Sequence, residues 1–403
     1  MGDSKAALVP LLPVGAGIPS TQATTPPTTP PAGFVTARGT EFWLDGRPYR
    51  FAGMNAYWIP QLVHESQYDA AFQRLKDIGV RVLRTWAFSM VEGELPTTNL
   101  TYFQYWKDGE QFLNVGANGL ARLDTTVKYA AKYGIKLIMV FVNNWEHYGA
   151  MDVYTSNLVG KDACHSDFYT NAKVIAAFEA YVHHIVTRYK DSASIFAWEL
   201  TNEARATATE PLKRLDFTPD DLTRWVADRA AFIKCLDPHH MVAVGDEGFF
   251  NWDRPKTKAE YVYSGESGGD FDAYLKLDNI DFGTFHMYPE TWGMTPELEW
   301  GKQWIQEHID SMNRHGKPVV FEEFNIDGYD KQTTMFPAWI ELAEEQLPGI
   351  MPWGLAANDM DISDTTVWLG SYDETNDFWP GKDLVWAMLQ QMGKRINEKW
   401  PLE

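Results

Sequence analysis

Eight short, nearly unbroken apolar runs recur along the chain, separated by stretches of helical periodicity. The runs are RFAGMNAY (50–57), VRVLRTW (80–86), KLIMVFVN (136–143), IFAWELTNE (195–203), MVAVGDEG (241–248), IDFGTFHMYP (280–289), PVVFEEFN (318–325) and IMPWGLAA (350–357). Strands that are apolar at successive positions are covered on both faces, and such strands pair in parallel. Parallel neighbours need a crossover, which the helices supply. One helix is predicted from Ser66, with Asp69 three residues on as a capping-box variant. A second spans 171–190 and puts Val174, Phe178, Tyr181 and Ile185 on one face. A third opens at Thr218-Pro219, a cap followed by proline in the first turn. This alternation predicts an α/β fold, a closed (β/α)8 TIM barrel. An N-terminal β-hairpin, EFWLDGRPYRF, is predicted ahead of it, turning at Asp45-Gly46. Residues 87–119 and 357–382 read as long loops over the C-terminal rim, after the second and eighth strands.

The chain has 403 residues, 45% of them hydrophobic and 14% aromatic, enough for one large core or two smaller ones. Residues 18–33, IPSTQATTPPTTPPAG, cannot join that core; Thr and Pro without periodicity make an extended linker. The expected organisation is a disordered or extended tail over 1–33 and one barrel domain over 34–403. The formal net charge of −20 disfavours nucleic acid and anionic membranes, because phosphate binding needs clustered Lys and Arg. A neutral polysaccharide meets no such barrier. No apolar run reaches the ~18 residues of a membrane-spanning helix. The N-terminus makes a poor leader, with Asp3 where basic residues belong and Pro10 and Pro13 inside the apolar run. The sequon Asn99-Leu100-Thr101 supports the expected extracellular location. Cys164 and Cys235 fit no zinc or thioredoxin spacing, and whether they pair stays open.

Polar groups gather where the predicted strands end. Arg84 ends the second, and Asn143-Asn144 end the third beside Trp145. Asn202-Glu203 end the fourth, Asp246-Glu247 the fifth, His286 and Tyr288 the sixth, and Glu322-Glu323 the seventh, while Trp353 lies in the eighth. Barrels of this kind carry their catalytic groups at this rim. Two carboxyls on different strands, with Arg, His, Tyr and Trp around them, suit glycoside hydrolysis. HExxH, a Gly-rich phosphate loop and a G-x-S-x-G elbow are absent, so no metal or cofactor is expected. Trp58, Trp86, Trp145, Trp252, Trp292 and Trp353 divide between core packing and stacking on sugar faces. Glu199 shares a strand face with Glu203 and is expected deep in the barrel, where it needs a partner. Asp246-Glu247 suit either substrate contact or scaffold, and His183-His184 are expected to be solvated or packed. Glu322 and Glu323 are adjacent on a strand, so alternation should send only one of them inward.

The stretches WELTNEAR, VGDEGF, IDFGTFHMYPETWG and VVFEEFN resemble glycoside hydrolase family 5, and FVNNWEHYG resembles its fungal and plant β-mannanase subfamily. The resemblance covers about residues 34–395, with its motifs in order on successive strands. It implies Glu203 as acid/base and Glu323, rather than Glu322, as nucleophile. Asn202 would bond the 2-hydroxyl of the reacting sugar. Arg84 and Tyr288 would hold the nucleophile, His286 would order the acid, and Trp353 would lie under the sugar. Asn143, Trp145, Glu247, Trp292 and Trp86 complete the expected substrate surface. A nearby Arg should lower the nucleophile's pKa, and an apolar pocket should raise the acid's. The implied activity is retaining endo-β-1,4-mannanase on mannan, glucomannan or galactomannan, by a monomer. The alternatives are an exo-acting β-mannosidase walled off by the 357–382 loop and a non-catalytic carbohydrate-binding barrel. Two departures from the family stand out: Ala204 follows Glu203 where proline is usual, and Asn325 follows Phe324 where glycine is usual. Asn325 is expected to take over an unusual backbone position or to touch substrate.

Overall fold

The computed structural model describes residues 6–11, 30–96, 99–208, 216–252, 258–358, 360 and 377–402. Its centre is β1 (Phe51–Asn55), β2 (Val82–Trp86), β3 (Lys136–Val140), β4 (Ile195–Glu199), β5 (Met241–Ala243), β6 (Gly283–Met287), β7 (Val319–Phe324) and β8 (Gly349–Ile350). All ladders are parallel, and the order around the sheet is β5-β4-β3-β2-β1-β8-β7-β6. Each predicted apolar run holds one strand. The strands stop earlier than the runs, so most of the polar groups sit on the loops just beyond them. Among the described residues no ladder joins β5 to β6. Single bonds close the barrel there: Asp281 N–H donates to Val242 O at 2.9 Å, Val242 N–H to Asp281 Oδ2 at 2.7 Å, and His286 N–H to Glu247 O at 3.2 Å.

The predicted hairpin is present as Glu41–Leu44 and Arg47–Pro48, extended by Val35–Arg38 into three strands. Asp45 (φ 49°) and Gly46 (φ 82°) both take positive φ, which a tight two-residue hairpin turn requires. The hairpin inserts Phe42, fully buried, into the N-terminal end of the barrel. Its ring meets Phe51, Phe196 and Phe282 at 6.0, 5.0 and 5.3 Å. That aromatic plug leaves only the opposite end open for polar groups.

The helix predicted from Ser66 instead spans Glu65–Asp77, with His64 as its cap. Gln67 Oε1 accepts from His64 N–H at 3.0 Å, the reciprocal half of a capping box. Asp69 faces the next helix, where it accepts from Tyr133 Oη–H at 2.7 Å. The other two helices lie near their predicted bounds, at Ala172–Tyr189 and Pro219–Leu236, capped by Asn171 and by the Thr218/Asp221 pair.

Residues 87–119 are not a plain loop. Met90–Glu92, Gln104–Lys107 and Glu110–Asn114 form a small sheet, and Leu8–Pro10 adds a fourth, antiparallel strand to it. The missed signal is Asp108-Gly109, which turns with φ of 53° and 78°, the same dipeptide chemistry as Asp45-Gly46. Most of the 357–382 loop lies outside the described residues, which resume at 377. Cys164 and Cys235 are both free thiols.

Candidate active site

Arg84, on β2, is fully buried and organises the rim. Its Nε and Nη2 donate to Glu199 Oε1 at 2.8 and 2.6 Å, so Glu199, deep on β4, has found the partner its burial demands. Nη2 also donates to Asn202 Oδ1 at 2.8 Å, and Nη1 donates to Glu323 Oε1. Asn202 in turn donates to Asn143 Oδ1 at 3.0 Å. One guanidinium thereby sets the positions of groups from β4 and β7.

Glu203 lies at φ 56°, in the left-handed region that a branched or long side chain rarely adopts. Such strain persists only where the surroundings impose it. Here Glu203 N–H donates to Gly245 O at 2.7 Å, and Arg205 N–H to Asn144 Oδ1 at 3.0 Å. The twist aims the Glu203 carboxyl across the rim. Its Oε2 accepts from Trp145 Nε1–H at 2.5 Å, and its Oε1 lies 2.7 Å from His286 Nδ1. Glu323 Oε2 accepts from Tyr288 Oη–H at 2.7 Å. One oxygen each of Glu203 and Glu323 and a nitrogen of His286 lie within 4.8 Å of one another. Three such groups can hold a metal, but here Arg84, Trp145 and Tyr288 already direct donors at the two carboxyls.

Alternation fails at Glu322. The β6–β7 register runs Phe285 with Phe321 and then His286 with Glu323, skipping Glu322 at an irregularity. Both glutamates are consequently buried and inward: Glu322 Oε2 lies 3.5 Å from Arg84 Nε and 3.4 Å from His286 Nε2. A bulge of this kind re-aims a side chain beside an active site.

Burial raises the pKa of Glu203 above the ordinary carboxylate range, against the pull of Arg205, Trp145 and Arg84. Glu323 was expected to be lowered by Arg84. Its pKa is raised instead, because desolvation outweighs His286 and Arg84 and the neighbouring Glu203 adds to it. Burial lowers the pKa of His286. Asp246 is pushed up to about 8 by burial, despite the Gly248 N–H bonded to it, and it does not line the cleft.

The cleft over these groups holds about 520 Å3. Trp353 forms one wall, stacked on Tyr57 at 5.4 Å and 10°, with Trp86 5.8 Å away. Trp145, Asn143, Glu247, Tyr288 and Trp292 also line it. Trp58 and Trp252 do not; their indole N–H groups are spent on Leu355 O and Asp272. Glu247 is held by Arg205 through two bonds of 2.5 Å each. Arg205, Tyr57, Tyr148 and Tyr261 line the cleft and were not legible as site residues. The one available hint was that Arg205 shares the loop of Glu203. Asn325 adopts ordinary backbone; it bonds Gln332 and the carbonyl of Trp353, anchoring the platform from behind. A larger groove of about 840 Å3 lies outside the barrel, between Tyr329–Gln346 and Asp383–Lys399, away from every one of these groups.

Two carboxyls, one on the loop just past the fourth strand and one on the seventh strand, facing each other in an aromatic cleft at the C-terminal rim of a (β/α)8 barrel, define a glycoside hydrolase. The model of the family 5 β-mannosidase-like glycoside hydrolases matches residues 32–338, and the chain belongs to that family. It is 41% identical over 295 residues to mannan endo-1,4-β-mannosidase F of Aspergillus clavatus, covering 73% of this chain and 64% of that protein. It is 41% identical over 293 residues to mannan endo-1,4-β-mannosidase A of Emericella nidulans, covering 73% of this chain and 71% of that one. The chain thus spans somewhat under two thirds of the first relative's length. Among solved structures, the endo-1,4-β-mannanase of Rhizomucor miehei superposes with a TM-score of 0.75 at 36% identity, covering 82% of this chain and 97% of that one. A family 5 mannosidase from the same organism shares the fold at 17% identity and a TM-score of 0.70, over 91% and 99% of the two chains.

Proposed function

We propose that this chain is a retaining endo-β-1,4-mannanase. The observation that carries the reading is that one carboxyl oxygen of Glu203 lies within 4.8 Å of one of Glu323. Retaining glycosidases hold their two carboxyls roughly 5–5.5 Å apart, whereas inverting ones leave room for a water between them. In the first step Glu323 attacks the anomeric carbon while Glu203 gives its proton to the departing glycosidic oxygen. The C–O bond breaks and a glycosyl ester forms on Glu323. In the second step the Glu203 carboxylate takes a proton from water, the water oxygen attacks the anomeric carbon, and the ester bond breaks. Arg84 and Tyr288 align Glu323 and receive its charge when it leaves. Asn202 reaches toward the 2-hydroxyl, and Trp353 lies under the sugar ring. The raised pKa of Glu203 suits a general acid.

The mannan substrate is supported by relatives named mannan endo-1,4-β-mannosidases. We infer from this polymeric substrate that the enzyme works outside the cell. The test is a time course on mannohexaose with products resolved by length. Mannobiose, mannotriose and mannotetraose appearing together support an endo cut. Mannose with mannopentaose as the first products would overturn it in favour of exo action.

A further inference from the structure

Below the cleft lies a charged layer that the two-step reaction does not use. Glu199 and Glu322 are both fully buried, and Glu199 stands close enough to add to the rise that burial imposes on the Glu322 pKa. Glu199 Oε2 and Glu322 Oε1 each lack a donor among the described residues. The cation against them is Arg84, which also serves Glu323. One guanidinium cannot balance the charge of three buried carboxylates, and a buried oxygen without a donor is costly. A single proton between Glu199 and Glu322 removes both problems.

That proton decides the state of His286. With Glu322 protonated toward Glu199, its Oε2 is free to accept. The two nitrogens facing that oxygen are Arg84 Nε at 3.5 Å and His286 Nε2 at 3.4 Å, and toward an oxygen that only accepts, Nε2 must carry a proton. A neutral imidazole protonated on Nε2 has a bare Nδ1. The 2.7 Å contact between Nδ1 and Glu203 Oε1 then needs its proton on Glu203. We propose that Glu322 is a positioning residue for the acid: it accepts the Nε2–H of His286, so that the bare Nδ1 keeps the resting proton on Glu203. The reverse arrangement, with Glu322 donating to Nε2 and Nδ1–H donating to Glu203, strands Glu199 Oε2. It also leaves Glu203 and Glu323 both ionised within 4.8 Å. The other groups facing this chain are the Glu323 carboxyl, whose Oε2 lies 3.5 Å from His286 Nδ1 and accepts from Tyr288, and the Arg205–Glu247 pair, which is internally balanced. The inference rests on Glu203 being the acid.

The test is the pH profile of kcat/KM on manno-oligosaccharide for wild type, Glu322→Gln and Glu322→Leu. A glutamine copies the protonated acid: its amide N–H serves Glu199 and its oxygen accepts from His286. Its basic limb should coincide with that of wild type. Leucine removes the acceptor, lets Nδ1–H form and favours the Glu203 carboxylate, so its basic limb should move down by about one pH unit. Glutamine shifting the limb as far as leucine, or leucine leaving it in place, overturns the proposal. Should Glu322→Leu fail to fold, 15N shifts of labelled wild-type enzyme read the tautomer directly. A protonated Nε2 and bare Nδ1 at His286 support the proposal, and the opposite tautomer overturns it. Wild type that leaves manno-oligosaccharides uncut would instead remove the mannanase reading, while the tautomer measurement still decides this one.

Discussion

Arg205 grips Glu247 through two parallel hydrogen bonds of 2.5 Å and lays its guanidinium 5.1 Å above the ring of Trp145. The pair crosses from the loop after β4 to the loop after β5 and braces the indole that donates to Glu203. Lysine keeps the charge but can neither fork to a carboxylate nor stack as a plane. Arg205→Lys should raise KM on mannohexaose by roughly tenfold, the scale of one lost charged hydrogen bond, with a smaller fall in kcat. Unchanged KM would mean that the brace does not shape the substrate surface.

The two glutamates should fail differently. Glu323→Gln removes the attacking group and should abolish turnover of every mannoside. Glu203→Gln removes proton donation, worth roughly 10²–10⁴-fold on a poor leaving group. With an activated aryl β-mannoside the first step no longer needs that proton, so release of the phenol should survive as a burst. Equal loss on both substrates for Glu203→Gln would contradict the assigned roles.

Asp237 provides a pH handle remote from the cleft. Burial pushes its carboxyl up, but hydrogen bonds from His240 and Trp198 bring it down to about 2 from the ordinary 3.8. Below pH 3.8 the unfolded chain takes up a proton that the folded chain refuses until about pH 2, so stability falls as pH drops through that window. Asp237→Asn should lose about 2 kcal/mol at neutral pH and flatten this part of the acid limb, read by chemical unfolding at several pH values. An acid limb as steep as wild type would show that the load is carried elsewhere.

Phe42 tests the plug. Phe42→Ala leaves a cavity among Phe51, Phe196 and Phe282 and should cost roughly 3–5 kcal/mol. The catalytic groups sit at the other end of the barrel, so kcat/KM at low temperature should hold. Loss of activity without loss of stability would mean that the floor transmits strain to the rim.

The barrel was legible because buried parallel strands write themselves as apolar runs, and because Glu203, His286 and Glu323 sit where those runs turn polar. The exceptions have local causes. Glu322 turned inward because β7 skips a register position, which a period of two cannot anticipate. The small sheet over 90–114 turns at Asp108-Gly109, which is not flanked by a clear alternation of apolar residues in the sequence. The cap moved to His64 because Gln67, not Asp69, reaches back to the chain. The raised pKa of Glu323 depends on how much solvent its neighbours exclude, and sequence spacing carries no measure of that.

The open seam between β5 and β6 runs through the machinery itself, since Glu247 lies on one bank and His286 on the other. Where other neighbours are hooped by a continuous ladder, these two are laced by a few separate stitches. Local opening begins where backbone bonds are fewest. Warming should therefore part the seam before the staves come loose, and the enzyme should fall silent at a temperature where its spectrum still reads as folded.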